Sequence, residues 1–439
     1  MKRFSKNLLL LPACLLAAVM AAGCPPAEQE EEEEVAPAGE VVIGYSGPLS
    51  GPAAEYGQDG LNGIIMAVED INAAGGIVIN GQVYNLRVAY YDDMADPTVT
   101  MTNVDRLLDR DGAIAIFNMV YTCTLPMLEI NREAGREFLI MAYTSVPLVE
   151  YQHANELAVW LPPPFLGYVE TKARKAMEQG WRRCAIVVDS GAYGQAWSRT
   201  FAQYWQAMGG TITYDGKGSY YADTDFSTQI TAAMATNPEF MLIGGPSKGT
   251  MLVAEQAREL GFEGGFVFLD QAKIDWVAAA LGENAMEILD NTIAVVAVEH
   301  SIYPTIPEFT QRYNERFVEQ GKATIVTWEA AIQYTSTYIL AKAMEAAGSV
   351  DDIFAIRAAI NGVLPVYGTE FPYEFHGITD AGRLHAVGSI AMIQDGAYQP
   401  PITIYWWPQN QAEFDELSAW AKETYGEVIP VWVQYPPPR

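Results

Sequence analysis

Residues 41–76 read VVIGYSGPLSGPAAEYGQDGLNGIIMAVEDINAAGG, and the alternation inside them sets the fold class. VVIGYS (41–46) is rich in β-branched and aromatic residues and predicts a strand. GPLSGPAAEYGQDG (47–60) is dense in turn residues. Leu61, Ile64, Ile65, Val68 and Ile71 then recur at helical spacing, and AAGG (73–76) stops the helix with glycines.

The same unit repeats along the chain. LRVAYYDD (86–93) predicts a second strand, and Asp96-Pro97 supplies a capping carboxylate and a first-turn proline for the helix TVTMTNVDRLLDR (98–110). AIAIFN (113–118), EFLIMAY (137–143), CAIVVDS (184–190), FMLIGG (240–245) and GFVFLD (265–270) are further short apolar runs, each followed by a polar turn. Strands alternating with helices in this way imply an α/β protein whose parallel sheets are covered on both faces. Ligands in such sheets bind outside the carboxyl ends of the strands.

Those ends carry Ser46, Ser50, Tyr121, Thr122, Tyr143, Thr144, Ser145, Tyr193, Ser247 and Asp270. Hydroxyls, aromatic rings and one carboxylate suit a small polar solute. The four histidines, His153, His300, His376 and His385, are scattered, so no metal-ligand spacing is present and no metal or cofactor is expected. Asp92 and Asp93 read as turn and capping carboxylates.

Lys and Arg number 26 against 54 Asp and Glu, a net charge of −28, which argues against nucleic acid as a partner. Cys123 and Cys184 read as buried free thiols, with a disulfide between them as the alternative. GPSKG (245–249) has the G-x-S-x-G spacing of a hydrolase elbow, which would make Ser247 a nucleophile with Asp275 and His300 downstream. A proline after the first glycine is awkward for that strained turn.

At the amino end, Lys2, Arg3 and Lys6 precede an apolar run from Leu8 to Met20, too short to span a bilayer. Small residues then lead to Cys24, an arrangement that resembles the lipobox of bacterial lipoproteins, in which the cysteine is acylated. Ordinary signal-peptidase cleavage is the alternative, because Ala21 stands where that motif more often has leucine. On this reading residues 1–23 are a lipoprotein signal peptide and 24–40, PPAEQEEEEEVAPAGE after the cysteine, an acidic tether kept extended by charge repulsion. Without the three leader cations the net charge becomes −31 (−28 − 3).

Taken in order, SGPLSGPAAEYGQDGLNGIIMAVEDINAAGG (46–76), YDDMADP (91–97), VVDSGAYGQ (187–195) and DFSTQI (225–230) resemble the periplasmic leucine/isoleucine/valine-binding proteins, type I solute-binding proteins of ABC transporters. The resemblance implies two Rossmann-like lobes joined by three crossovers near Val159–Pro163, Val298–Ile302 and Tyr367–Gly382, closing on a solute. The N-terminal lobe would be 41–160 plus 300–370, the C-terminal lobe 161–299 plus 380–410, and 411–439 a C-terminal extension. Trp406 and Trp407 would pack against a lobe.

By the same resemblance, hydroxyls and main-chain groups at Tyr121, Thr122, Tyr143, Thr144 and Ser145 would take the carboxylate of an amino acid and help hold its ammonium, Asp270 would take the ammonium, and Tyr56 and Tyr193 would line the cleft. The chain departs from that family at VYTCT (120–124), where serines are frequent, and at Pro246, which replaces a cleft tyrosine. The first-lobe disulfide of the leucine binders is missing, with Met94 and Val120 at its positions. The implied function is capture of a branched-chain-like amino acid or similar small carboxylate by a monomer, for an ABC permease and its ATPase. It would be exported to the periplasm or cell surface and held to the membrane by lipid. Binding of an aromatic acid, amide or urea, or service as a sensory receptor subunit, are the alternatives.

Overall fold

Two β-sheets, one in each lobe, carry the chain. The computed structural model describes residues 37–435; the leader, Cys24 and the tether up to residue 36 lie outside the described residues, as do 436–439. The first sheet contains β1 (Gly39–Gly47), β2 (Ile77–Ile79), β3 (Gln82–Asp92), β4 (Ala113–Asn118), β5 (Leu139–Ala142) and β6 (Ala158–Trp160), in the order β2-β3-β1-β4-β5-β6. Only β2 runs antiparallel to its neighbour.

The chain crosses at 161–164 into the second sheet, which begins with β7 (Arg183–Asp189), β8 (Thr211–Gly218), β9 (Phe240–Gly244), β10 (Gly265–Phe268) and β11 (Thr292–Val295). It returns at 296–305 to lay helices between residues 306 and 363 on the first lobe. The hairpin β12 (Phe375–Ile378) and β13 (Leu384–Ala386) then leads back to β14 (Gly388–Gln394), β15 (Ala397–Tyr398), β16 (Ile402–Tyr405) and β17 (Ile429–Trp432). The second sheet runs β17-β16-β14-β11-β10-β9-β7-β8, with β15 beside β14. Strand order reverses at β1/β4 in one lobe and at β7/β9 in the other, and a ligand crevice opens at such switch points.

The stretch from residue 411, set apart on sequence as an extension, joins the second sheet. It forms helix Gln411–Tyr425 and then β17, which lies parallel to β16 as the outermost strand. Trp406 is buried, and its indole N–H donates to Ala386 O at 2.7 Å.

Arg383, fully buried just before β13, ties the crossovers together. Its guanidinium pairs with Glu150 and donates to the carbonyls of Pro162 at 2.8 Å, Thr144 at 3.0 Å and Val146 at 3.3 Å. A guanidinium can satisfy so many acceptors because its five N–H groups form a fixed fork. Tyr435 adds a hydroxyl bond to the same Glu150, 2.9 Å long.

Cys123 and Cys184 are both free and fully buried, and burial pushes the Cys123 thiol up to about 12 and raises that of Cys184 as well. Among the described residues no helix is long and apolar enough to cross a membrane.

Candidate functional site

The loops at the strand ends are fixed by buried polar side chains. Asp93 accepts from Ser46 Oγ at 3.1 Å, Thr100 Oγ1 at 3.1 Å and Ala95 N–H at 2.9 Å. Asp92 accepts from Leu49 N–H at 2.8 Å and Ser50 Oγ at 2.5 Å. Ser46 and Ser50, grouped on sequence with the solute hydroxyls, therefore anchor the loop after β1. Asn118, the last residue of β4, accepts from Val120 N–H at 3.1 Å and Thr124 Oγ1 at 2.9 Å, and so positions the start of helix Tyr121–Ile130. Arg383, through Thr144 O and Val146 O, fixes the loop after β5.

Each Tyr-Gly pair has a local cause. A Cβ on Gly57 would lie 1.8 Å from Pro48 O, and one on Gly194 would lie 2.1 Å from Asp189 O. Both distances are far inside van der Waals contact, so only glycine lets the first helical turn sit against the strand-end loop. The preceding tyrosine is thereby held at the mouth of each switch point. The two lobes use the same device.

A cavity of about 300 Å³ lies between the carboxyl ends of the two sheets. Tyr56, Tyr121, Thr122, Tyr143, Thr144 and Ser145 line it from the first lobe, and Tyr193 and Asp270 from the second. Tyr56 and Tyr143 meet edge to face at 5.8 Å. Tyr121 and Thr122 begin their helix, so their amide N–H groups have no intrahelical partner and the positive end of the dipole faces the cavity. Across from them, Asp270 Oδ1 accepts from Tyr193 OH at 2.5 Å and from Trp197 Nε1 at 2.7 Å. One oxygen takes both bonds. The carboxylate is thus oriented while its second oxygen, Oδ2, accepts from no described residue.

Several residues at the site carry no sequence motif. Lys273, just before helix Ile274–Leu281 of the second lobe, places Nζ 2.7 Å from Glu329 Oε1, on the first-lobe helix Trp328–Ala347, and 2.8 Å from Asp270 O. Both side chains are almost completely buried, so this ion pair joins the lobes away from water. Lys172 is also fully buried, donates to Phe268 O at 2.7 Å and lies over the rings of Tyr168 and Trp197. Desolvation lowers its ammonium to about 7, against the pull of Asp270.

Glu55, in the first turn of helix Ala54–Ala73, is half-buried, and its Oε1 has no hydrogen-bond partner among the described residues. Burial lifts its carboxyl from 4.5 to about 7. Between those values the folded chain holds a proton that the unfolded chain has lost, so this site's contribution is most favourable at low pH and fades as pH rises through about 7. Relative to wild type, Glu55→Gln should gain thermal stability as pH is raised from about 5 to about 8. A melting-temperature difference that does not change with pH would contradict this.

The hydrolase elbow takes on a different meaning here. Ser247 Oγ accepts from Lys273 N–H at 3.2 Å, and Asp275 accepts from Val298 N–H at 3.2 Å and Trp276 N–H at 3.0 Å. His300 packs its ring on Tyr398 at 4.4 Å. Gly245 and Gly249 both lie against Tyr220, which accounts for their spacing by packing. Among the described residues no group of three or more His, Cys, Asp or Glu comes together to hold a metal ion.

Comparison with known proteins places this geometry in context. A family model described as periplasmic binding protein matches residues 40–397. An amino acid binding protein of Pseudomonas aeruginosa PAO1 is 26% identical over 320 residues, covering 71% of this chain and 80% of that protein. The Leu/Ile/Val-binding protein of Escherichia coli K12 is 27% identical over 241 residues, 53% of this chain, so the chain spans 62% of that relative's length. The solved leucine-binding protein of Thermotoga maritima superposes with a TM-score of 0.68 at 20% identity, over 83% of this chain and 98% of that one. At that identity the likeness is one of fold.

Proposed function

The chain belongs to the periplasmic binding protein family, a family of solute-binding proteins, and on that premise we propose that it captures an amino acid, branched-chain-like, or a similar small carboxylate between its lobes for an ABC importer. The observation that carries this reading is the pairing of opposite chemistries across one cavity. The helix start at Tyr121 and Thr122, with the hydroxyls of Thr144 and Ser145, suits a carboxylate; Asp270 opposite suits an ammonium. A solute carrying both groups bridges the lobes and favours their closure. No step of this function calls for turnover or a cofactor.

A permease and its ATPase would receive the solute at the outer face of the membrane. Acylation at Cys24 would keep the binding protein near them, with residues 25–40 as the spacer. Cys24→Ala is expected to release the protein from membrane fractions, since acyl chains are what anchor such a protein. Recovery of wild-type protein with residue 24 unmodified by mass spectrometry would sink the anchor.

The capture itself is tested by titration calorimetry and thermal shift across amino acids, aromatic acids, amides and urea. A cognate solute at a hundred times its Kd should stabilise the fold by about 2.7 kcal/mol. Failure of every amino acid and every other small carboxylate in that panel would overturn the reading.

A further inference from the structure

The cavity continues past the strand ends toward the crossovers, and its far end is walled by three aromatic rings. Tyr303 comes from the second crossover, Trp328 from the start of the long first-lobe helix and Tyr373 from the third crossover, and all three line the same cavity as Asp270 and Tyr143. Their rings stand nearly perpendicular to one another. Tyr303 and Trp328 are 6.3 Å apart at 84°, Tyr303 and Tyr373 are 6.1 Å apart at 80°, and Trp328 and Tyr373 are 5.5 Å apart at 75°.

Two of the rings are locked by bonds to the backbone. The Trp328 indole donates to Val296 O at 2.7 Å, and the Tyr373 hydroxyl donates to Val387 O. Their polar atoms are spent on the protein, so these two rings offer a solute mainly apolar surface. The nearest cation that lines the cavity, Lys273, is consumed by Glu329. An anionic side chain on the solute would find no free opposite charge in this box and would lose its hydration there.

We infer that the α-amino acid taken by this protein carries an aromatic side chain, which inserts into the box of Tyr303, Trp328 and Tyr373 while its head group lies between Ser145 and Asp270. This rests on the amino-acid reading above and refines it. A flat ring can meet walls set at these angles edge to face, a geometry that adds to simple burial. A branched aliphatic chain fills part of the same space without that gain. Fixed walls also mean that little side-chain freedom is lost on binding.

The test is calorimetry on the full exported chain with L-phenylalanine, L-tryptophan, L-leucine and L-isoleucine. Wild type should bind at least one aromatic amino acid roughly tenfold or more tightly than leucine. Tyr303→Leu and Trp328→Leu should each lower the affinity for the aromatic solute more than that for leucine, bringing the ratio toward one. Leucine or isoleucine binding as tightly as both aromatic amino acids in wild type overturns the box and leaves the amino-acid reading standing. An equal loss for both classes in both variants also overturns it. If none of the four binds while an aromatic acid without an amine does, the head-group reading falls and takes this inference with it. The wild-type ratio decides even where a variant fails to fold.

Discussion

Asp270→Ala is expected to weaken binding of an α-amino acid by roughly thirty- to several-thousand-fold. The estimate comes from truncating one member of a buried charge pair, which costs about 2–5 kcal/mol, much of it from stranding the other charge. Tyr193 OH and Trp197 Nε1 also lose the oxygen they donate to, a cost that falls on the fold with or without solute. Asp270→Asn separates charge from shape: it retains one carbonyl acceptor but removes the ion pair. Calorimetric affinities unchanged by both substitutions would show that no ammonium sits there.

Breaking the Lys273–Glu329 pair should have an effect of similar size for a different reason. Neither residue needs to touch the solute. Removing one partner of a buried pair typically costs about 3–5 kcal/mol, because the other is left buried and charged. The pair spans two lobes, so with the lobes apart both groups return to water and the cost falls on the closed form. Glu329→Gln and Lys273→Met should each lower solute affinity by about a hundredfold or more. The melting temperature of the solute-free protein should barely move. The double variant Lys273→Met/Glu329→Met should recover most of the affinity, since apolar replacements of similar volume often match a buried ion pair. Equal affinities for wild type and both single variants would show that the pair does not contribute to closure.

These two contacts differ in how visible they are in the sequence. Asp270 ends a β-rich run in a recognisable order of motifs, so strand periodicity and family likeness both point to it. Strands such as Ala113–Asn118 and the cap at Asp96 were equally legible, because they follow from local residue types. Lys273 and Glu329 stand 56 positions apart (329 − 273) with no periodic relation, and only the second crossover brings them together. The same holds for Tyr303, Trp328 and Tyr373, each of which reads locally as an ordinary apolar residue. Ser46, Ser50 and Ser247 misled in the opposite sense. A hydroxyl at a strand end can hold a solute or hold a loop, and local sequence cannot tell whether an aspartate or a backbone amide is waiting for it.

The crossing pattern also governs the order in which the molecule can be finished. Helix Trp328–Ala347, which packs on the first lobe, follows all of β7 to β11, and β14 to β17 of the second lobe follow that helix. A growing chain that has reached residue 300 holds β1 to β11 of the two sheets and the complete core of neither. Arg383, on which the loop after β5 depends, comes later still. Neither lobe can therefore settle early in synthesis as an independent domain would. The arrival of the chain beyond residue 328, rather than of either first half-sheet, thus sets the moment at which both lobes can close their cores.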